Sequence, residues 1–348
     1  MSRILAVIAT VLALVITSGA TAQVNLNAET ASPVSVPGTA LLGMSELAST
    51  NGIANVQVAT GQTLTNSVQN VAEGKTDIGS APFALPFLLS RGAGPYAKTG
   101  PEKGAELASN LAVLYTYRLA VYGLSSYESA KFAGYDAIEG STLYNGPPRG
   151  AALNRARAMV KLATGLDEGE GYTGVQVNWG QAVKTITDGT ADAHLLPMNF
   201  PDERQSQASA SGAMVVHSYP KAVFESETGQ KYGKAPGTAM VTAEIVEGLF
   251  GPNFSVISED NLFRGYADIG GDVVHVSMDE DTAYALTKAV LEGLDTIKAK
   301  APMMETVWLG ETAIEFTGMC GPMPIKYHPG AVRAWEEAGY SLPDCAKP

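Results

Sequence analysis

The sequence runs to 348 residues with a formal net charge of −12, an apolar fraction of 45% and two cysteines. So acidic a surface attracts neither nucleic acid nor an anionic membrane face, which excludes both as partners and requires any bound anion to find a local positive pocket. The length exceeds the size at which a single core keeps growing, so two lobes are expected.

Met1, Ser2 and Arg3, an apolar run over 4–16 and the small residues Ala20, Thr21 and Ala22 read as a secretory signal peptide, cleaved before Gln23. That run is too short to span a bilayer, and no later segment reaches the roughly 20 apolar residues needed. An exported protein is expected, most simply a periplasmic one. In an oxidising compartment Cys320 and Cys345 pair and fasten the C-terminal tail; without a CxxC, redox catalysis is not expected.

From Val34 to Ala301 short β-type runs alternate with helical ones, the pattern of an α/β chain with largely parallel sheets. A helix is predicted over 37–49, with Ala40, Leu41, Met44, Leu47 and Ala48 on one face. A strand over 56–59 then turns at 60–63 into a helix ending near Gly74, and a second strand covers 77–80. The Pro- and Gly-broken stretch 83–103 is expected to be irregular or in short helical pieces. Residues 111–123 form a strand long enough to cross between lobes.

At 142–153 a strand, a Gly/Pro turn and a helix start follow in quick succession. This is either an ordinary connection or a turn whose amides, with the helix dipole behind them, hold an anion. Its helix, 151–163, buries the face carrying Leu153, Ala156, Met159 and Val160. Strands at 175–177, 193–196 and 212–217 come next, with a helix over 180–187 between the first two; 221–237 has no clear pattern. Near 254–257 the chain is expected to return to the first lobe. A helix over 279–299, with a capping box at 277–280, follows it.

Catalytic motifs are scarce. No Gly-x-Ser-x-Gly occurs, Gly74-Lys75-Thr76 has Gln69 where a phosphate loop needs its first glycine, and Pro95 interrupts the Gly92-Ala93-Gly94 run. His194, His217, His275 and His328 lack metal-ligand spacing, and His328 reads as a turn residue bonded to backbone; no metal or other cofactor is expected. What recurs is polar strand-to-helix turns: Thr60 to Thr63 with Asn66, Ser80-Ala81, Gly146 to Ala152, and Asn178 to Gln181. Ligands of open α/β sheets sit at the carboxyl ends of strands, so these turns point to one cleft and to binding rather than turnover.

The Gly61-Gln62-Thr63 turn, the run from Asn70 to Gly79, the segment 144–152, Asn178-Trp179-Gly180-Gln181-Ala182 with 187–193, and the C-terminal Tyr327-His328-Pro329-Gly330-Ala331 occur in that order. In this the chain resembles the TAXI subgroup of solute-binding proteins from tripartite ATP-independent periplasmic (TRAP) transporters. The resemblance implies a two-lobed, periplasmic-binding-protein-like α/β fold of type II, a hinge, an interlobe cleft and docking on a TRAP permease. We expect lobe 1 from 23–121 with 262–348, lobe 2 from 122–261, and a monomer. Ligand contacts carried over are Gln62, Thr63, Asn66, Ser80, Gly146, Arg149, Gly150, Ala151, Trp179, Gly180 and Gln181. Arg149, standing where the family commonly has a Gly-Ser-Gly turn, makes a small carboxylate such as an amino acid or a dicarboxylate the expected ligand, with Arg118 as the competing clamp. The alternatives are a secreted enzyme on a two-lobed scaffold and a ligand-sensing partner of a membrane receptor.

Overall fold

The computed structural model describes residues 23–348, and the signal-peptide reading of 1–22 lies outside them. The described strands are β1 (Val24–Glu29), β2 (Ala54–Ala59), β3 (Ile78–Pro82), β4 (Leu111–Tyr127), β5 (Thr142–Tyr144), β6 (Thr173–Val175), β7 (Ala193–Met198), β8 (Met214–His217), β9 (Thr238–Glu244), β10 (Phe254–Ile257), β11 (Leu262–His275) and β12 (Lys326–Tyr327). They make one curled 12-stranded sheet with the path β2-β1-β3-β11-β4-β7-β5-β6; β8 and β12 also pair β4, β10 pairs β8 and β9 pairs β11.

Two parallel sets stand at the ends of this path. β1 pairs β2 and β3, and helices Val36–Thr50, Leu64–Ala72 and Ala84–Ser90 follow those three strands. β5 pairs β6 and β7, followed by helices Ala151–Thr164, Ala182–Thr187 and Glu203–Ser209. Strands β4 and β11 join the sets: they pair with each other antiparallel, and β4 continues onto β7 and β8 while β11 continues onto β9. The fold is thus α/β with two lobes, as expected.

Alternation along the strands distributes the core. Leu26, Ala28, Met44, Val68, Ile78 and Val113 share one buried cluster with Leu286 and Trp335 from the C-terminal helices. In the second lobe Leu143 and Leu195 face a cluster with Met159 and Val160, while Tyr144 and Leu196 face another with Ile186 and Met214, so both sheet faces are covered. Gly270 and Gly271 let β11 close up on β3 and β4. A Cβ on Gly270 would lie 2.2 Å from the carbonyl oxygen of Ala81, and one on Gly271 2.2 Å from that of Tyr115.

The structure corrects several expectations. Strand β1 was not anticipated, although Val24, Leu26 and Ala28 alternate with Asn25 and Asn27. Phe254–Ile257, expected at the return between lobes, pairs β8 in parallel register, and the next strand to reach β3 is β11, whose glycines break up its apolar pattern. The strand read at 175–177 is β6, ending at Val175. The patternless 221–237 holds helices Lys221–Glu225 and Glu227–Gly233. The helix expected over 279–299 breaks at Gly293 into Glu280–Glu292 and Leu294–Lys298, and the Leu47 side chain packs there so closely that a Cβ would stand 2.5 Å from it. Its cap is Asp279, which accepts from the Thr282 amide at 2.9 Å, whereas the Ser277 hydroxyl bonds His275. The stretch 83–103 does fold as short helical pieces.

Cys320 and Cys345 are disulfide-bonded with Cα atoms 5.3 Å apart, closing 25 residues of chain. Changing both to serine is expected to lower stability by about 3 kcal/mol in the chain-entropy model, read from urea midpoints, and unreduced wild-type protein should offer no alkylatable thiol.

Candidate functional site

The site is built where β5 and its neighbour β7 end. After Tyr144 the chain runs through 145–150 into helix Ala151–Thr164, and after Met198 through 199–202 into helix Glu203–Ser209. Asn145 is locked from both ends of its amide: Nδ2 donates to Glu168 Oε2 at 2.6 Å, and Oδ1 accepts from Gln176 Nε2 at 2.8 Å. The Arg157 guanidinium beside Glu168 holds that carboxyl below its ordinary range. The Trp179 ring lies over Gly146, and the Arg204 guanidinium sits 4.8 Å from the centre of the same ring. Tyr144 is fully buried and its hydroxyl has no partner.

Against the second of these segments lies Arg118, carried by the crossing strand β4 and only 1% exposed. Its guanidinium carbon stands 4.9 Å from the Phe200 ring centre and 5.4 Å from that of Trp308. Nη2 donates to the carbonyl and hydroxyl oxygens of Thr306 at 3.0 and 3.2 Å, while Nε and Nη1 have no partner. Burial pulls this guanidinium down to about 10, so it remains a cation at neutral pH. A desolvated cation with idle donors is costly unless an anion completes it. The single hydroxyl proton of Thr306 has two carbonyl acceptors within reach, Met303 at 2.9 Å and Phe200 at 3.2 Å. Met303 and Pro201 line a cleft of about 550 Å³ that Val34, Thr39 and Lys300 close from the first lobe and Asp202 from the second.

Two further polar clusters bear on the crossing strands. Asp272 of β11 is completely buried, accepting from the hydroxyls of Tyr115, Tyr117 at 2.7 Å and Ser80 at 2.8 Å. Burial pushes its carboxyl up to about 6, against the opposing effect of the three hydroxyls. Arg155, from helix Ala151–Thr164, pairs with Asp268 of β11 and donates to Thr238 Oγ1 at 2.8 Å and Tyr232 at 3.2 Å, while Tyr122 donates to Asp268 at 3.1 Å. This pair ties that helix to the crossing strand.

Of the residues singled out in the sequence, Gly146, Arg149, Gly150 and Ala151 share one strand end, and Trp179 folds back over Gly146 with Gly180 and Gln181 beside it. Arg149, Gly150, Gly180 and Gln181 are exposed, and Trp179 is 40% exposed. Gln62, Thr63 and Asn66 are exposed beyond the end of β2 in the other lobe. Ser80 lies inside the first lobe, with Thr30 Oγ1 2.9 Å away and Asp272 as its acceptor. Arg118 bonds Thr306, whereas Tyr115 and Tyr117 of the same strand engage Asp272. Sequence reasoning missed Phe200, Arg204, Thr306 and Trp308. Arg204 reads as an ordinary first-turn residue, and Thr306 and Trp308 reach Arg118 from 188 residues or more along the chain. His194 is buried in β7, where desolvation pushes it down to about 4, and His328 accepts from the Gly330 amide at 3.2 Å as helix cap. Among the described residues no three His, Cys, Asp or Glu converge as a metal site.

Fold and strand ends together define a two-lobed α/β protein with a ligand-sized cleft between its halves. Among solved structures, one from Bordetella bronchiseptica RB50 superimposes with a TM-score of 0.54 at 13% identity, over 91% of this chain and 98% of that one. A marine-metagenome TRAP solute-binding protein specific for pyroglutamate gives a TM-score of 0.43 at 12% identity, over 91% of each chain. A TRAP periplasmic solute-binding protein from Desulfovibrio salexigens with bound orotic acid gives 0.45 at 9% identity, over 93% of this chain and 88% of that one. At these identities the likeness is one of fold. No protein-family model and no curated protein matches the sequence.

Proposed function

We propose that the chain is an extracytoplasmic solute-binding protein that captures a small carboxylate, an amino acid or a dicarboxylate, and delivers it to a TRAP membrane permease, as the TAXI resemblance implies. The observation that carries this reading is Arg118, a buried guanidinium with two idle donors and no carboxylate partner, bonded to Thr306, whose hydroxyl meets the carbonyl of the cleft residue Met303. The sequence pattern favours Arg149 as the clamp. The geometry favours Arg118, because a charge-assisted bond made out of water outweighs one made by an exposed side chain. In this reading 23–121 with 262–348 and 122–261 are the two lobes, and closure is a hinge motion about β4 and β11.

A thermal-shift panel of organic acids, amino acids, sugars and amines tests it. An acid at about 100 times its dissociation constant is expected to stabilise the protein by about 2.7 kcal/mol. Arg118→Gln should abolish that shift, and Arg149→Ala should leave the affinity within about twofold. Shifts from neutral or cationic solutes alone would overturn the carboxylate reading. Loss of binding in Arg149→Ala with retention in Arg118→Gln would move the clamp to Arg149.

A further inference from the structure

The walls of the cleft of about 550 Å³ offer a solute little that is polar. Among the described residues that line it, Thr39, Asp202, Glu203, Ser206 and Lys300 carry polar side chains, and each is already engaged. Thr39 Oγ1 donates to the Pro33 carbonyl at 3.4 Å, and Ser206 Oγ donates to the Asp202 carbonyl at 2.7 Å. Both carboxylate oxygens of Asp202 accept backbone amides, from Asn199 at 3.1 Å and Gln205 at 3.0 Å, with the Arg204 guanidinium 3.9 Å away. Glu203 accepts from Gln207 Nε2 at 3.2 Å, and Lys300 pairs with Glu46. Lys300 is the one cation of this lining, against the two carboxylates of Asp202 and Glu203. A second anionic group on the solute would therefore find repulsion there and no idle side-chain donor.

Hydrocarbon makes up the rest. Pro33, Pro201 and Pro302 present rings without an N–H and with φ fixed, so that part of the wall is preformed. Val34, Leu42, Ala301 and Met303 add aliphatic surface. Val34 is 58% exposed, more than any other large apolar side chain among the described residues, so it gains by being covered. We infer that the part of the solute that fills this cleft is uncharged hydrocarbon, which makes the ligand a monocarboxylate with an aliphatic body and disfavours the dicarboxylate. This deepens the solute-binding reading, which supplies the carboxylate, and rests on it.

The test is calorimetric titration with three series matched in carbon number: the monocarboxylates butanoate to octanoate, the dicarboxylates succinate to suberate, and the neutral alcohols butanol to octanol. Monocarboxylate affinity is expected to rise about two- to fourfold with each added methylene until the cleft is filled. Octanoate should bind at least about tenfold more tightly than suberate. Val34→Asn should lower octanoate affinity about threefold or more and leave butanoate within about twofold, while Val34→Leu, which keeps the surface apolar, should retain the rise. Because Val34 is largely exposed, an unchanged ligand-free melting temperature verifies that both variants fold. Affinity that does not depend on chain length, or dicarboxylates that bind as tightly as monocarboxylates, overturns the inference and leaves the carboxylate reading standing. A rise shown by the alcohols while no acid binds supports the apolar cleft and overturns the carboxylate reading. Binding by none of the three series overturns both.

Discussion

Arg155→Met and Asp268→Asn, made singly, are each expected to destabilise the protein by about 3–5 kcal/mol in urea denaturation. The Arg155 side chain is 9% exposed and that of Asp268 14%, so removing either partner strands the other in a medium that solvates it poorly. The aromatic and hydroxyl groups around them cannot neutralise a charge. Arg155→Met/Asp268→Leu removes both charges, and its loss should fall short of the summed single losses by about 2 kcal/mol or more. Full recovery is not expected, because Tyr122, Tyr232 and Thr238 then lose their acceptor or donor. Single losses below about 1 kcal/mol would show that water reaches the pair and that it does not anchor the helix.

The second large effect is a pH dependence placed by Asp272. Its carboxyl is raised to about 6 from an ordinary value of 3.8, so between those values the folded protein holds a proton that the unfolded chain has released. The stability this contributes is fully present below about 4 and is lost as the pH rises through 6. A difference of about two pKa units corresponds to about 3 kcal/mol. Wild-type stability relative to Asp272→Asn should therefore increase by about that amount as the pH falls from 7.5 to 4, because the amide carries no titrating proton. Urea midpoints of both proteins across this range measure it. A constant difference between them would mean that Tyr115, Tyr117 and Ser80 stabilise the ionised form enough to cancel its burial.

Which parts of this molecule could be read from sequence follows from the range of the interactions involved. The helices over 36–50 and 151–164 and the strand from Leu111 were legible because periodicity and turn chemistry are local. Strand β11 was not, since Gly270 and Gly271 serve contacts with β3 and β4 that no local pattern encodes. At the candidate site the Gly146 to Ala151 turn was visible as a Gly/Pro signature before a helix. Arg118 stood out only as one of two rival cations, because the rings of Phe200 and Trp308 that enclose it come from remote segments. Arg204 left no signal at all, as the Trp179 ring it stacks on comes from a separate strand end.

The strands shared by both lobes also constrain how the chain can assemble. Ser80 meets Asp272 across 192 residues, and the Trp335 indole donates to the Leu114 carbonyl across 221. The first lobe can form β1, β2 and β3 early, but β3 keeps an open edge until β11 arrives, after the entire second lobe has been made. Contacts this distant in sequence close slowly, and the unpaired edge is adhesive while it waits. Emerging chains will therefore need protection from one another until their last quarter is available. Truncations that spare every residue of the cleft but remove the C-terminal helices should accumulate as aggregates rather than as weak binders.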